Sequence, residues 1–175
     1  MRVATASGVL KADGRVLKPG EVLPDTEVIL SSGTAILTVD GGRFLVTGPA
    51  RFTPGKTRVS LDLGSWLSVL TRKAGRRFSV KTPSAVAAVR GTDFYVGVGP
   101  AGETDVCICD GKLEVSGDGM SPLPLAAKHH LNYRFVSSAG KSSGAKAPMI
   151  GHTDAELKDL HARLATTQAS RDLPK

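Results

Sequence analysis

Aromatic side chains make up only 5% of this 175-residue sequence, with a single tryptophan, so a core must come mainly from valine, leucine and alanine. The 41% hydrophobic content is enough to build one. No apolar run approaches the ~20 residues of a membrane-spanning helix. The opening MRVATASGVLKADG lacks the continuous hydrophobic stretch of an export signal, so the expectation is a cytoplasmic chain or one read without its signal. Cysteine occurs only at Cys107 and Cys109. A bridge between partners one residue apart on an extended chain is strained, so these two do not define a compartment. Catalytic signatures are missing too. There is no H-E-x-x-H, phosphate-binding glycine loop or C-x-x-C-H, and no nucleophile–base pair accompanies Arg90 and Asp93. The chain reads as non-enzymatic, with no cofactor required by any motif.

Positive charge is present and unevenly placed. The net charge is +7, and the segment from Arg51 to Lys81 carries Arg51, Lys56, Arg58, Arg72, Lys73, Arg76, Arg77 and Lys81 against one acid, Asp62. A basic surface can meet nucleic acid, anionic lipid or an acidic protein. No aromatic stacking motif accompanies these charges, which argues against nucleic acid. The plainer reading is a solvated face, with a protein contact as its functional counterpart.

Up to about residue 118 the pattern is short strands with turn punctuation. TAILTVDGGRFLVTG alternates, turns at Asp40-Gly41-Gly42 and returns through Phe44, Leu45 and Val46. Asp13-Gly14 and Asp110-Gly111 repeat the dipeptide that supplies positive φ to hairpins. TRVSLDLGSWLSVL reads as two strands around Gly64, and Pro83 interrupts pairing after RRFSVK. Turn signals at this spacing predict a mainly β fold: a two-layered sandwich or roll, or a short solenoid, of antiparallel strands.

Residues 119–151 read as an irregular extension and linker, with NYRFV as one last strand and the small polar run SSAGKSSGAKAP after it. A helix over 152–170 follows. Thr153 and Glu156 form a capping box, Asp154 and Glu156 favour the helix N-terminus, and Leu157, Leu160 and Leu164 make a narrow apolar stripe that needs a partner surface, either the β-domain or another protein. The expected organisation is therefore a β-domain over 1–118, an extension over 119–151 and an amphipathic helix over 152–170.

Cys107 and Cys109 lie at i and i+2 on a strand and so share a face. They are either small buried hydrophobes or, with His129, His130 and His152, ligands for zinc or iron in a metal-binding or redox-responsive module. His129 and His130 are adjacent, so an extended chain aims them oppositely, and His161 lies within the helix pattern. If Val106 and Ile108 face the core, the thiols face outward.

The segment TPSAVAAVRGTDFYV resembles the most recognisable part of the FecR-like domain, a T-P-x-A-x-x-x-V-R-G-T-x-F pattern carried here by Thr82, Pro83, Ala85, Val89, Arg90, Gly91, Thr92 and Phe94. GTAILTVDGGRFLV and TDVCICDGKLEV are similar to the flanking elements, so the resemblance covers roughly residues 8–116. It implies a non-enzymatic all-β domain of the bacterial envelope or periplasm. Pro83, Arg90, Gly91, Thr92, Asp93 and Phe94 then form a structural turn rather than a site. Well-known members of that family relay iron-siderophore signals to an anti-sigma region. This chain shows no such helical region and no transmembrane helix, so the expectation is a stand-alone scaffold or signalling module that binds an envelope protein, with self-association left open. Its contact surfaces would be the basic residues named above and the leucines of the helix. Cys107, Cys109 and the histidines fall outside the family pattern.

Overall fold

The computed structural model describes residues 1–71 and 77–171. The strands are β1 (Arg2–Ala6), β2 (Leu10–Ala12), β3 (Arg15–Val16), β4 (Val28–Leu30), β5 (Thr34–Val39), β6 (Gly42–Pro54), β7 (Arg58–Leu70), β8 (Phe78–Lys81), β9 (Val86–Val89), β10 (Asp93–Val98), β11 (Thr104–Gly117), β12 (Met120–Ala127), β13 (Leu131–Ser138) and β14 (Lys141–Lys146). A single helix, α1 (Asp154–Arg171), ends the described chain. The fold is thus mainly β with one C-terminal helix.

Three long strands organise it, because each serves different neighbours at its two ends. β6 pairs with β4 and β5 on one side and β7 on the other. β7 pairs in parallel with β8 through Arg58–Ser60 and antiparallel with β10 through Gly64–Ser68. β11 pairs with β10 through Thr104–Asp110 and with β9 through Leu113–Ser116. Since β8 also pairs with β9, the circuit β7–β8–β9–β11–β10 closes into a barrel-like roll, which removes sheet edges there.

Two of the expected turns form as read. Asp40-Gly41 joins β5 to β6 with Gly41 at φ 71°, and Asp13-Gly14 joins β2 to β3 with both residues at positive φ. Two expectations are corrected. Gly64, at φ 95°, bends one continuous strand instead of separating two, and Asp110-Gly111 is a bend within β11 instead of a hairpin. At Gly111 the chain adopts φ 116°, and Thr92 Oγ1 donates to the Lys112 carbonyl at 2.7 Å beside it. A side chain there would press on Thr92 at 3.1 Å. The strand therefore changes partner from β10 to β9 without ending.

The interior is filled by the large residues the sequence does possess. Trp66 is fully buried and packs on Phe44 and Phe52, with ring centroids 5.1 and 5.2 Å apart. Val89, Phe94, Val106, Ile108 and the small Ala85 and Ala87 share this core.

The stretch 119–151 is another correction at the level of secondary structure. In place of an irregular linker, β12 and β13 both pair with β11, and β14 pairs with β13. β12 accommodates Pro122 and Pro124 because it is an edge strand with both prolines exposed. Asp105 accepts a forked ion pair from Arg134, 2.9 Å at its closest, which fastens β13 to β11.

The helix opens on the expected capping box. Thr153 N–H donates to Glu156 Oε2 at 2.8 Å, and Glu156 N–H donates to Thr153 Oγ1 at 3.2 Å. Leu160 and Leu164 are buried, and Leu157 partly so, against Ile36, Leu67, Val69 and Tyr95 on the outer face of the sheet. The stripe read as an interaction surface is thus spent on the chain's own sheet in this state. Full burial of a leucine contributes about 1.5–3 kcal/mol, whereas a helix alone in water is marginal. Few leucines hold this one down, so its other attachments matter.

Candidate metal centre

Alternation along β11 decides where the thiols go. Val106 and Ile108 point into the main core, and Cys107 and Cys109 point to the opposite face. That face is not open to solvent. The extension and α1 cover it, leaving Cys107 at 0% and Cys109 at 3% exposure. The thiols leave the main core, as expected if Val106 and Ile108 face it, and yet they remain buried.

Two histidines reach them from the covering segment. Cys109 Sγ lies 3.2 Å from His152 Nε2, and Cys107 Sγ lies 3.6 Å from His130 Nδ1. The four donor atoms all fall within 4.8 Å of one another. His130 sits just ahead of β13, and β13 pairs in register with β11 so that Asn132 faces Cys107. Asn132 Nδ2 donates to the Pro148 carbonyl at 2.8 Å, which carries the chain back over the thiols toward His152. Gly151 makes the final approach feasible. It adopts φ 83°, and a Cβ at this position would collide with the Tyr95 hydroxyl at 2.0 Å. The Tyr95 ring stacks on the His152 imidazole, centroids 4.7 Å apart and 17° from parallel.

Each imidazole is oriented by a second partner. His130 Nε2 is 2.6 Å from Asp154 Oδ1, so this nitrogen carries the proton donated to the carboxylate and Nδ1 is left to face sulfur. His152 Nδ1 is 3.4 Å from the Ile150 carbonyl, which leaves Nε2 toward Cys109. A carboxylate or carbonyl behind a histidine is the arrangement that fixes tautomer and ring direction in metal sites.

Electrostatics follow from this packing. Hydrogen bonding from Cys109 draws the Cys107 thiol down, against its burial and with help from His152 and His130, while the same bond and burial push Cys109 up. Burial works against a charged His130, but Asp154 and the Cys107 sulfur outweigh it and raise its pKa. The His130 hydrogen bond holds Asp154 below the usual carboxylate range. Burial raises Tyr95 to about 12, so it is a neutral phenol beside the site. Two sulfurs and two aimed imidazole nitrogens form a four-atom donor set of the kind that suits zinc or a single iron.

The remaining residues singled out in the sequence sort as follows. His129 is exposed and packs edge-on against His130, with centroids 4.4 Å apart. It belongs to an outer group with His130 and Asp154, not to the buried four. His161 lies 2.7 Å from Asp93, tying α1 to the start of β10, so Asp93 pairs with the helix and Arg90 is exposed to solvent. Gly91 takes the turn at φ 66°, Thr92 and Phe94 are buried, and Pro83 is exposed. Arg51 meets Glu27 at 3.5 Å on the surface, and Lys56, Arg58, Arg77 and Lys81 are exposed. Arg77 lines shallow concavities with Arg90, Lys112 and Lys56. Arg72, Lys73 and Arg76 lie outside the described residues. Asp154, Tyr95 and Gly151 were not foreseen as part of a site. The one signal for Asp154 was a carboxylate two residues after His152 at a helix start.

Comparison with known proteins gives two findings. The sequence model of the family described as "FecR protein" matches residues 21–114. Two crystal structures of "a putative anti-sigma factor from Parabacteroides distasonis ATCC 8503", at 1.65 and 2.50 Å resolution, share the fold with TM-score 0.57 and 19% identity. In each case the likeness covers 69% of this chain and 59% of the other, so this chain spans less than two thirds of that protein. No curated protein matches. Cys107 and Cys109 lie inside the matched family segment, while His130, His152 and Asp154 lie beyond it.

Proposed function

The chain belongs to the FecR family, and from that membership we propose that it is a non-catalytic, metal-binding regulatory module of the bacterial envelope that acts through contact with another protein. The observation that carries the metal half is the buried set Cys107, Cys109, His130 and His152, whose donor atoms lie within 4.8 Å of one another. The regulatory half rests on the family and on the fold shared with the protein described as an anti-sigma factor. Domain organisation fits this division of labour. A FecR β-domain over 1–118 supplies the thiols, an extension over 119–151 supplies His130, and the segment 152–170 opens with His152. The periplasm is the compartment this family membership favours. No described helix is long and apolar enough to cross a membrane.

Partner contact is assigned to the exposed basic side chains Arg51, Lys56, Arg58 and Arg77, which would make binding weaken with salt. The decisive test addresses the metal. Protein purified without added metal or chelator, analysed by inductively coupled plasma mass spectrometry, should hold about one equivalent of zinc or iron per chain, and the C107S/C109S double variant should hold none. Metal-free wild-type protein that also fails to take up added Zn²⁺ would sink this function.

A further inference from the structure

We infer that the ion is a single tetrahedral Zn²⁺ and that it serves as a clasp: it binds the covering segment, residues 147–156 and α1, onto the outer face of the β-domain, and its loss lets that segment lift away. The inference rests on the metal-binding reading above and adds the identity of the ion and what it controls.

The donor set points to zinc. Zinc–sulfur and zinc–nitrogen bonds of about 2.3 and 2.0 Å place neighbouring donors of a tetrahedron roughly 3.3–3.8 Å apart. The two sulfur–nitrogen contacts, 3.2 and 3.6 Å, lie close to that spacing, and donors at the outer limit of 4.8 Å would draw in by about 1 Å on binding. Such a compact set holds one ion. All four positions come from the protein, and the thiols are buried, which is the closed pattern of a structural zinc site and leaves no place for a substrate. On binding, thiol protons pass to water and both sulfurs coordinate as thiolates.

The clasp follows from where the ligands originate. Cys107 and Cys109 belong to β11. His130 precedes β13, His152 precedes α1, and Asp154, which orients His130, stands in the first turn of α1. One ion therefore joins three separate parts of the chain and fixes the N-terminal end of the helix. Farther along, α1 is held by Leu160, Leu164 and the His161–Asp93 pair. His161 is an exposed residue, so that pair is a weak hold. Gly151 at positive φ and the exposed Met149 and Ile150 make the approach to His152 a segment with little packing of its own. Without the ion, few contacts keep it in place.

Hydrogen–deuterium exchange of the full chain, with Zn²⁺ and after removal of metal by chelation, tests both parts while zinc content is measured on the same samples. The expected result is stoichiometric zinc, with exchange in 147–166 rising about tenfold or more on its removal and the strands of the inner core unchanged. Co²⁺ in place of Zn²⁺ should give the intense visible absorption of tetrahedral coordination with thiolate charge transfer. His152→Ala leaves the β-domain residues untouched and should mimic chelation in 147–166 even with Zn²⁺ present. Stoichiometric zinc with equal protection of 147–166 in both samples overturns the clasp while the metal-binding reading stands. Octahedral Co²⁺ spectra overturn the tetrahedral assignment. No metal bound under any condition overturns the reading on which the inference rests.

Discussion

The molecule has two apolar clusters on opposite faces of the same strands, and they are built differently. The inner one is large and fully enclosed, with Trp66, Phe44, Phe52 and Phe94 all at 0% exposure. The outer one is small and mixes Ile36, Leu67 and Val69 with Tyr95 and two thiols, and two leucines of α1 complete it. The inner cluster is closed by strand pairing around it. Its outer counterpart is closed by a helix and a linker whose residues are far away in sequence. The contrast teaches that β11 contributes to the fold through Val106 and Ile108 and to chemistry through Cys107 and Cys109, so a single strand separates the two roles by its alternation.

The largest break in this contrast should come from the inner side. Trp66→Ala removes the ring around which Phe44 and Phe52 pack, and large-to-small changes of this kind cost about 3–5 kcal/mol. The denaturation midpoint should fall steeply, and zinc binding should fail with it because the thiol-bearing strand loses its support. Leu160→Ala strikes the outer cluster, at a cost of about 2–5 kcal/mol if the helix stays docked. The helix has the option of undocking, so the loss should register mainly as proteolysis near α1, with the global midpoint moving less than for Trp66→Ala. Equal global losses for the two would show that the clusters fold as one unit.

Subtler changes sharpen the comparison. Asp154→Asn keeps the shape behind His130 but weakens its orientation, and altered outer partners of this kind lower metal affinity by about 10- to 100-fold. Competition with a chromophoric chelator should read that drop, with the β-sheet circular dichroism unchanged. The smallest effect belongs to Asp93. Burial raises its carboxyl above the unfolded value, so the native state holds this proton more tightly. Its contribution to stability is fully present below the unfolded pKa and declines as pH rises through the higher native one. Asp93→Asn should flatten that decline in midpoint-versus-pH curves measured upward from about pH 3, at the expense of the hydrogen bond to His161.

How much of this was legible in the sequence depended on how local the cause was. Asp40-Gly41, Asp13-Gly14 and the Thr153–Glu156 box are local chemistry and formed as read. Placing the thiols opposite Ile108 needed only the two-residue period of a strand. Asp110-Gly111 misled because the same dipeptide serves a hairpin or a bend, and the choice is made by Thr92, whose hydroxyl reaches Lys112. β14, with the sequence KSSGAK, has no apolar alternation to read. It is a strand because β13 offers it a free edge. For the adjacent histidines an extended chain predicts opposite directions, yet their rings pack together 4.4 Å apart, and only His130 turns inward to the thiols. That choice comes from the pairing of β13 with β11, and the approach of His152 spans 43 residues to Cys109.

The position of the family boundary has a practical consequence for anyone handling the isolated domain. A fragment trimmed near residue 118 would keep Cys107 and Cys109 and lose every histidine of the chain along with the helix. Its two thiols would then stand side by side on an uncovered surface with Ile36, Leu67, Val69 and Tyr95 around them. Such a fragment would be a sticky, easily oxidised dithiol, prone to cross-link with its own copies. Behaviour of that kind would be a property of the cut and not of the intact protein.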